Sequence, residues 1–216
     1  MSKIKSYAVI GLGVFGRSVA RTLAQEGMEV MVIDHNKDKV NELAAEVTYA
    51  MQIDVTNEIA LKNSGINRMD GVIIAIGEEL EPTVMATILC SEMGIGEIIV
   101  KAETTLQQRI LEKVGATKVI LPEKESGYRL AKNIAGNFRD FFQLSDTMSM
   151  VECPVKAEWT DKSIRELKLR EDYHLSVIAI RRADQDQMEV TPRPDRKLRA
   201  GDLILLVGKE EDIQKL

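Results

Sequence analysis

The sequence predicts an α/β chain: a doubly wound parallel sheet, then a crossover helix, then a small α+β domain at the C-terminal end. Three observations carry that prediction. Between residue 7 and about residue 121, short apolar runs alternate with helical patterns. Runs apolar on both faces, separated by helices, build a parallel sheet covered on both sides. The first run ends in G-L-G-V-F-G and leads directly into a helical pattern. After Pro122 the alternation stops, and a long helical stretch precedes strands separated by turn residues.

The predicted strands of the first part are "YAVIGL", "EVMVID", "TYAMQID", "GVIIAIG", "EIIVKA" and "KVILP". Helical patterns lie between them at Val14–Glu26, Lys37–Ala45, Asn57–Asn63, Glu81–Met93 and Thr105–Val114. Gly27, Gly65, Gly94 and Gly115 fall where helix C-terminal caps are expected. "EKESGYRLAKNIAGNFRDFFQL" then reads as one long helix with apolar positions Leu130, Ile134, Phe138, Phe141 and Phe142. Its aromatic residues suit either ordinary core packing or a helix that crosses to a partner subunit. Further on, "MSMVECPV", "LSVIAIRR", "QMEVTP" and "LRAGDLILLVG" read as strands. "SIRELKL" is a short helix capped by Asp161 or Ser163. The expected division is residues 1–123, a crossover helix at 124–145, and a C-terminal domain at 146–216.

Composition narrows the class. The 216 residues are 44% hydrophobic and 29% charged, enough apolar material for a core. No apolar stretch approaches the roughly 18–20 residues of a spanning helix. The chain enters a strand by Tyr7 with no signal-peptide pattern before it. Only Cys90 and Cys153 occur, at no metal or redox spacing, which fits a reducing cytosol. A formal charge of −5 gives no general reason to bind nucleic acid, and no helix-turn-helix with a basic recognition face is visible.

The first turn carries the chemistry. Gly11, Gly13 and Gly16, with Val14 and Phe15 between them, follow a strand and open a helix, the Rossmann-like context of a dinucleotide fingerprint. Gly11 permits the tight turn, Gly13 lets backbone approach a diphosphate, and Gly16 lets helix and strand pack closely. The helix N-terminus offers unpaired N–H groups to phosphates. Asp34 ends the second strand, where a carboxylate accepts hydrogen bonds from ribose hydroxyls and disfavours a 2′-phosphate. Ligands of open α/β sheets bind beyond the carboxyl ends of the strands. The candidates there are Asn36, Asp54, Val55 and Thr56, then Ala75, Ile76 and Gly77, then Lys101 and Glu123. Lys101 could pair with phosphate, and Glu123 could hold a cation or a ribose.

Catalytic signals are sparse. His35 lies at the adenosine end and His174 in the small domain, neither where hydride chemistry needs a proton donor. Tyr128 and Lys132 form Y-x-x-x-K, the spacing of short-chain dehydrogenases, but the serine partner and glycine pattern of that family are missing. G-x-S-x-G and the P-loop pattern are absent. A non-enzymatic binding module is expected, with an NAD-dependent oxidoreductase using Tyr128 as the alternative.

"YAVIGLGVFG", Asp34, "IDVTN", "VIIAIG", "VKA", "VGATKVILPEKESGYRLA" and "LRAGDLILLVG" together resemble the regulatory subunits of Trk/Ktr potassium transporters. Those carry an N-terminal RCK domain and a TrkA-C domain, and the resemblance covers nearly the whole chain. It implies a cytoplasmic homodimer assembling to a tetrameric or octameric ring on the inner face of the membrane. The ring docks on a membrane-embedded potassium-translocating subunit, and ATP, ADP or NAD(H) in the cleft shifts it between states. It places Gly11, Gly13 and Gly16 at the phosphates, Asp34 at the ribose, Asp54 and Thr56 by the adenine, and Lys101 near ribose and phosphate. Glu123 lies at a dimer interface where a cation, Mg or Na, sits. ATP-sensing members often carry arginine in the loop; Val14 stands there here, and Arg17 follows inside the helix. Some members bind cyclic di-AMP between C-terminal domains, which the resemblance places at Ile164, Arg170, His174, Leu175 and Pro192. "RPDRKLR" at 193–199 adds local positive charge that suits an anion, or a solvated turn.

Overall fold

The computed structural model describes residues 4–77, 79–184 and 187–216; the expectation about the chain's first residues lies partly outside them. It divides into two compact units between Lys124 and Glu125.

The first unit alternates strand and helix throughout: β1 Ser6–Ile10, α1 Val14–Gln25, β2 Glu29–Asp34, α2 Lys37–Leu43, β3 Tyr49–Gln52, α3 Glu58–Asn63, β4 Gly71–Ile74, α4 Leu80–Glu92, β5 Glu97–Lys101, α5 Thr105–Lys113 and β6 Lys118–Ile120. The strands lie in the order β3-β2-β1-β4-β5-β6, and every pairing is parallel. Period-two alternation splits the apolar side chains between the two faces. Ala8, Ile10, Ile33, Val72, Ile74, Ile98 and Val100 pack with Leu61, Leu89 and Leu111 from α3, α4 and α5. Val9, Val30, Val32 and Ile73 pack with Ala20 of α1 and with Val40 and Leu43 of α2. The helices therefore change faces where the strand order reverses, between β1 and β4, and ligands bind at such switch points.

Local chemistry sets the helix ends. Asn36 caps α2, its side-chain oxygen accepting the Asp38 N–H at 2.9 Å, and Thr104 with Gln107 forms a capping box on α5. The four predicted cap glycines all adopt positive φ just beyond a helix.

The second unit contains most of α6 (Pro122–Gly136), then β7 Asp140–Gln143, β8 Met148–Pro154, α7 Ile164–Leu167, α8 Leu169–Asp172, β9 Ser176–Arg181, β10 Met188–Val190, β11 Leu203–Lys209 and α9 Glu210–Ile213. Its sheet is antiparallel in the order β10-β9-β11-β8-β7. One face carries a core of Val151, Cys153, Ile180, Ile204 and Leu206, closed by Trp159, Leu175 and Ile213. Of the two predicted caps for α7, Ser163 is the one used, in a reciprocal capping box with Glu166.

The predicted crossover helix is shorter than the sequence suggested. It ends at Gly136, because Asn137 takes a left-handed φ of 52° and the Phe138 N–H returns to the Asn133 carbonyl at 3.0 Å. That is a Schellman-type stop, which asparagine tolerates through its short polar side chain. Phe141 and Phe142 then lie on β7, paired with Val151 and Met150 of β8. Phe141 is core, packed edge-on against Tyr128 with ring centroids 6.0 Å apart. Leu130 and Ile134 of α6 remain exposed.

Candidate functional site

The glycine turn is locked from below by backbone. Gly11 donates to the Ile33 carbonyl at 2.8 Å, and the Ala75 N–H donates to Ile10 at 2.7 Å. Gly11 has φ of 89°, and a Cβ there would stand 2.6 Å from the Ala75 carbonyl oxygen. A Cβ on Gly16 would lie 1.9 Å from the Gly11 carbonyl oxygen, so α1 closes onto the turn only with glycine at that position. Gly13 differs: a Cβ there would meet nothing within 4 Å. No side chain caps α1 at Gly13, and the first intrahelical bond runs from Arg17 N–H to the Gly13 carbonyl. The N–H groups of Val14, Phe15 and Gly16 thus precede the helix's own acceptors, the arrangement that attracts anions. Val14 is 83% exposed, whereas Phe15 turns into the core beneath α1.

Asp34 fastens this turn to β2. Its Oδ2 accepts the Leu12 N–H at 2.7 Å and its Oδ1 accepts the Asn36 N–H at 2.8 Å. His35 Nδ1 and Lys39 Nζ stand 3.5 Å and 3.8 Å from the same carboxylate. Beyond β3, Asp54 Oδ1 accepts both the N–H and the hydroxyl of Thr56, at 2.9 and 2.7 Å. Those two bonds hold the Asp54 carboxyl below its usual range, the hydroxyl contributing most.

A cleft of about 650 Å³ opens between these strand ends. It gathers Gly11, Asp34, Asp54, Val55, Thr56, Ile76 and Gly77 from among the sequence candidates. Ile10, His35, Lys39, Ile53, Glu79 and Pro82 complete the lining. The sequence placed His35 at the adenosine end without making it a site residue and passed over the others, because a residue beside a motif gives no sign of which way its side chain points. Gly13, Val14, Phe15, Gly16, Asn36 and Ala75 do not line it. Asn36 spends its side-chain oxygen on the α2 cap, and Ala75 lies buried beneath Gly11. Arg17, in the first turn of α1, pairs with Glu42 of α2 at 2.7 Å.

Lys101 and Glu123 sit away from this lining and pair with each other at 2.8 Å, which lowers the Glu123 carboxyl pKa. Among the described residues, no three His, Cys, Asp or Glu side chains converge as metal ligands do. Both thiols are buried, which pushes Cys90 up to about 12 and Cys153 to about 11.

In the second unit, Ile164, Arg170, Leu175 and Pro192 line one pocket of about 460 Å³, joined by Arg165, Leu169, Glu171, Ser176, Val177 and Pro194. His174, grouped with them by the sequence, is not part of it. With φ of 56° it turns the chain between α8 and β9. The Y-x-x-x-K pair is likewise engaged: Tyr128 Oη donates to Glu210 at 3.1 Å, and the Lys132 ammonium hydrogen-bonds the same carboxylate. Glu210 is held below the usual carboxylate range, with Lys132 the main cause.

Comparison with known proteins agrees with this architecture. Residues 7–122 match the TrkA-N domain model and residues 148–216 the TrkA-C domain model. The chain is 35% identical over 212 residues to the Ktr system potassium uptake protein C of Bacillus subtilis, covering 98% of this chain and 95% of that one. It is also 35% identical to the Ktr system potassium uptake protein A of the same organism, over 99% of this chain and 96% of the relative. Among solved structures, the GsuK channel bound to NAD shares the fold at a TM-score of 0.53 and 23% identity, over 97% of this chain and 37% of that one. The TrkA-N domain of the inner membrane protein ybaL from Escherichia coli does so at 0.53 and 18%, over 62% of this chain and 97% of that one. Among the described residues, no helix is long and apolar enough to cross a membrane. A parallel nucleotide-type sheet followed by the small antiparallel domain, matched along almost the full length of both, places the chain in the Trk/Ktr family of potassium transporter regulatory subunits.

Proposed function

We propose that the chain senses an adenine nucleotide, ATP, ADP or NAD(H), in the cleft of its first unit and passes the state of that cleft to a membrane-embedded potassium-translocating subunit. The observation that carries this is the cleft itself, which opens at the switch point of the sheet beside an uncapped helix N-terminus. The GsuK structures bound to NAD and to ADP belong to proteins of the same fold. A ligand moves such a subunit only through unequal affinity for two states, so no chemistry on the nucleotide is required and the module works without turnover. Gly11, Gly13 and Gly16 would face the phosphates, Asp34 the ribose, and Asp54, Val55 and Thr56 the base, with Ile76 and Gly77 on the facing wall of the cleft and Ala75 supporting the turn from beneath Gly11. Lys101 would take a terminal phosphate by leaving Glu123, which a partner copy could then complete as a cation site.

Assembly follows from the second unit. A groove of about 540 Å³ between α6 and β7 carries Tyr128, Phe141, Phe142 and Leu144, and α6 exposes Leu130 and Ile134 nearby. A second copy covering this surface gives the dimer from which a ring is built, on the cytoplasmic side of the membrane that holds the partner. The test is calorimetric titration of the full chain with ATP, ADP, NAD+ and NADH in one buffer. Saturable binding of at least one is expected; silence from all four refutes the reading.

A second ligand is favoured by the pocket that gathers Ile164, Arg170, Leu175 and Pro192. Its apolar walls and two arginines suit cyclic di-AMP, with bases on the former and phosphates on the latter. Arg170→Ala should abolish binding of cyclic di-AMP and leave nucleotide binding in the first unit intact; equal binding by the variant removes the pocket from consideration.

A further inference from the structure

The pocket of about 460 Å³ in the second unit sets three charged side chains among mostly apolar walls. A left-handed residue brings those charges together. Lys168, with φ of 47°, separates α7 from α8, so that Arg165 of α7 lines the same pocket as Arg170 and Glu171 of α8. Backbone bonds tie the frame. The Ile164 N–H donates to the Arg196 carbonyl at 3.1 Å, the Arg165 N–H to the Pro194 carbonyl at 2.8 Å, and the Leu175 N–H to the Leu169 carbonyl at 3.0 Å. The walls are thus set before any ligand arrives, which lowers the cost of binding.

The three charges are not spent on one another. Among the described residues, the side chains of Arg165, Arg170 and Glu171 make no hydrogen bond and no ion pair. The two arginines answer the phosphates of a cyclic dinucleotide. Glu171 does not. A free carboxylate beside a phosphodiester repels it, unless the ligand also brings hydrogen-bond donors to the carboxylate oxygens. Guanine brings two of them side by side on its pairing edge, N1–H and the 2-amino group, which match the two oxygens of one carboxylate. Adenine brings a single amino group beside the N1 acceptor, whose lone pair opposes a carboxylate.

We propose that Glu171 reads a guanine base, so that this pocket accepts a guanine-bearing cyclic dinucleotide as well as cyclic di-AMP. The proposal rests on the cyclic-dinucleotide reading of the pocket given above and widens it. Arg170 keeps its phosphate, and the apolar side chains of Ile164, Leu175 and Pro192 suit the face of either purine. Glu171 sets which purine gains.

The experiment titrates the full chain with cyclic di-AMP and cyclic di-GMP, and repeats both with Glu171→Gln and Glu171→Ala. Glu171 is exposed on α8, so both variants should keep the fold. In the parent, cyclic di-GMP should bind at least as tightly as cyclic di-AMP. Glu171→Gln presents an amide, whose oxygen and NH₂ match the amino group and N1 of adenine. The ratio of the two affinities should then move toward adenine by about tenfold, the size of one exchanged hydrogen-bonded pair. In Glu171→Ala the ratio should fall between the parent's and that of Glu171→Gln. A carboxylate that merely offsets the arginine charge would change both ligands alike and leave the ratio fixed. The proposal is overturned if the parent binds cyclic di-GMP more weakly than cyclic di-AMP, or if the ratio is the same in the parent and in Glu171→Gln. Silence from both ligands would instead sink the cyclic-dinucleotide reading itself.

Discussion

Substituting Gly13 with alanine separates the two tasks of the glycine turn, because the three glycines stand in different surroundings. A methyl on Gly13 meets nothing within 4 Å, and its φ of −68° is open to any residue. Removing a glycine from the unfolded chain stabilises by about 0.4–1 kcal/mol. Alanine at an N-cap is worse than glycine by a similar amount, about 0.5–1 kcal/mol. The two nearly cancel, so Gly13→Ala should melt within about 2–4 °C of the parent. The added methyl nevertheless enters the open space at the N-terminus of α1, where a diphosphate would seat. Losing one or two charge-assisted hydrogen bonds costs about 1.5–3 kcal/mol each, hence at least tenfold in affinity. The assay is paired: a thermal melt without ligand and calorimetric titration with ADP. Gly16→Ala is the contrasting control, because its Cβ would fall 1.9 Å from the Gly11 carbonyl oxygen and must displace α1. It should lose stability as well as binding. Parent-like ADP affinity in a well-folded Gly13→Ala would refute phosphate seating at this turn, and a large loss of melting temperature would refute the packing argument.

Two further outcomes follow from the second unit and the buried thiols. Glu210 is 24% exposed and its carboxyl is held down chiefly by Lys132. The stabilisation is therefore fully present above the unfolded value near 4.3, and is lost as pH falls through the lower folded value. Glu210→Gln should cost roughly 1 kcal/mol at pH 7 and flatten the acid limb of unfolding. The chain's single tryptophan, Trp159, lies in this unit's core and reports the transition by fluorescence; an unchanged acid limb would mean the pair contributes nothing. Cys90 and Cys153, pushed up to about 12 and about 11 by burial, should resist a disulfide reagent at pH 8 until denaturant is added. Prompt labelling of the native chain would show that one of these cores opens locally.

Much of the first unit was legible because its signals are local and mutually consistent. Both faces of β1, β2 and β4 are buried, so their sequences are nearly unbroken apolar runs, and glycines mark the helix ends. The end of α6 was not legible for the opposite reason. Phe138, Phe141 and Phe142 fit a helical period as well as they fit a turn and a strand. The choice was made by Asn137 taking the left-handed conformation and by pairing of β7 with β8, a contact formed after a chain reversal. His174 falls outside the pocket lined by Arg170 for a related reason, since its own left-handed φ sets where its side chain leaves the backbone.

By itself the sequence determined the order of elements, the parallel sheet, the glycine turn with its acid, and the resemblance to potassium transporter subunits. These follow from periodicity, from residues that only certain backbone angles admit, and from motif spacing. Only the tertiary structure decided what each polar side chain is free to do. It spent Asp34 on Leu12 and Asn36, Arg17 on Glu42, Lys101 on Glu123, and Tyr128 with Lys132 on Glu210. It left His35 and Lys39 facing the cleft. A side chain's availability depends on which distant residue reaches it first, and that is a property of three-dimensional packing that no local pattern encodes.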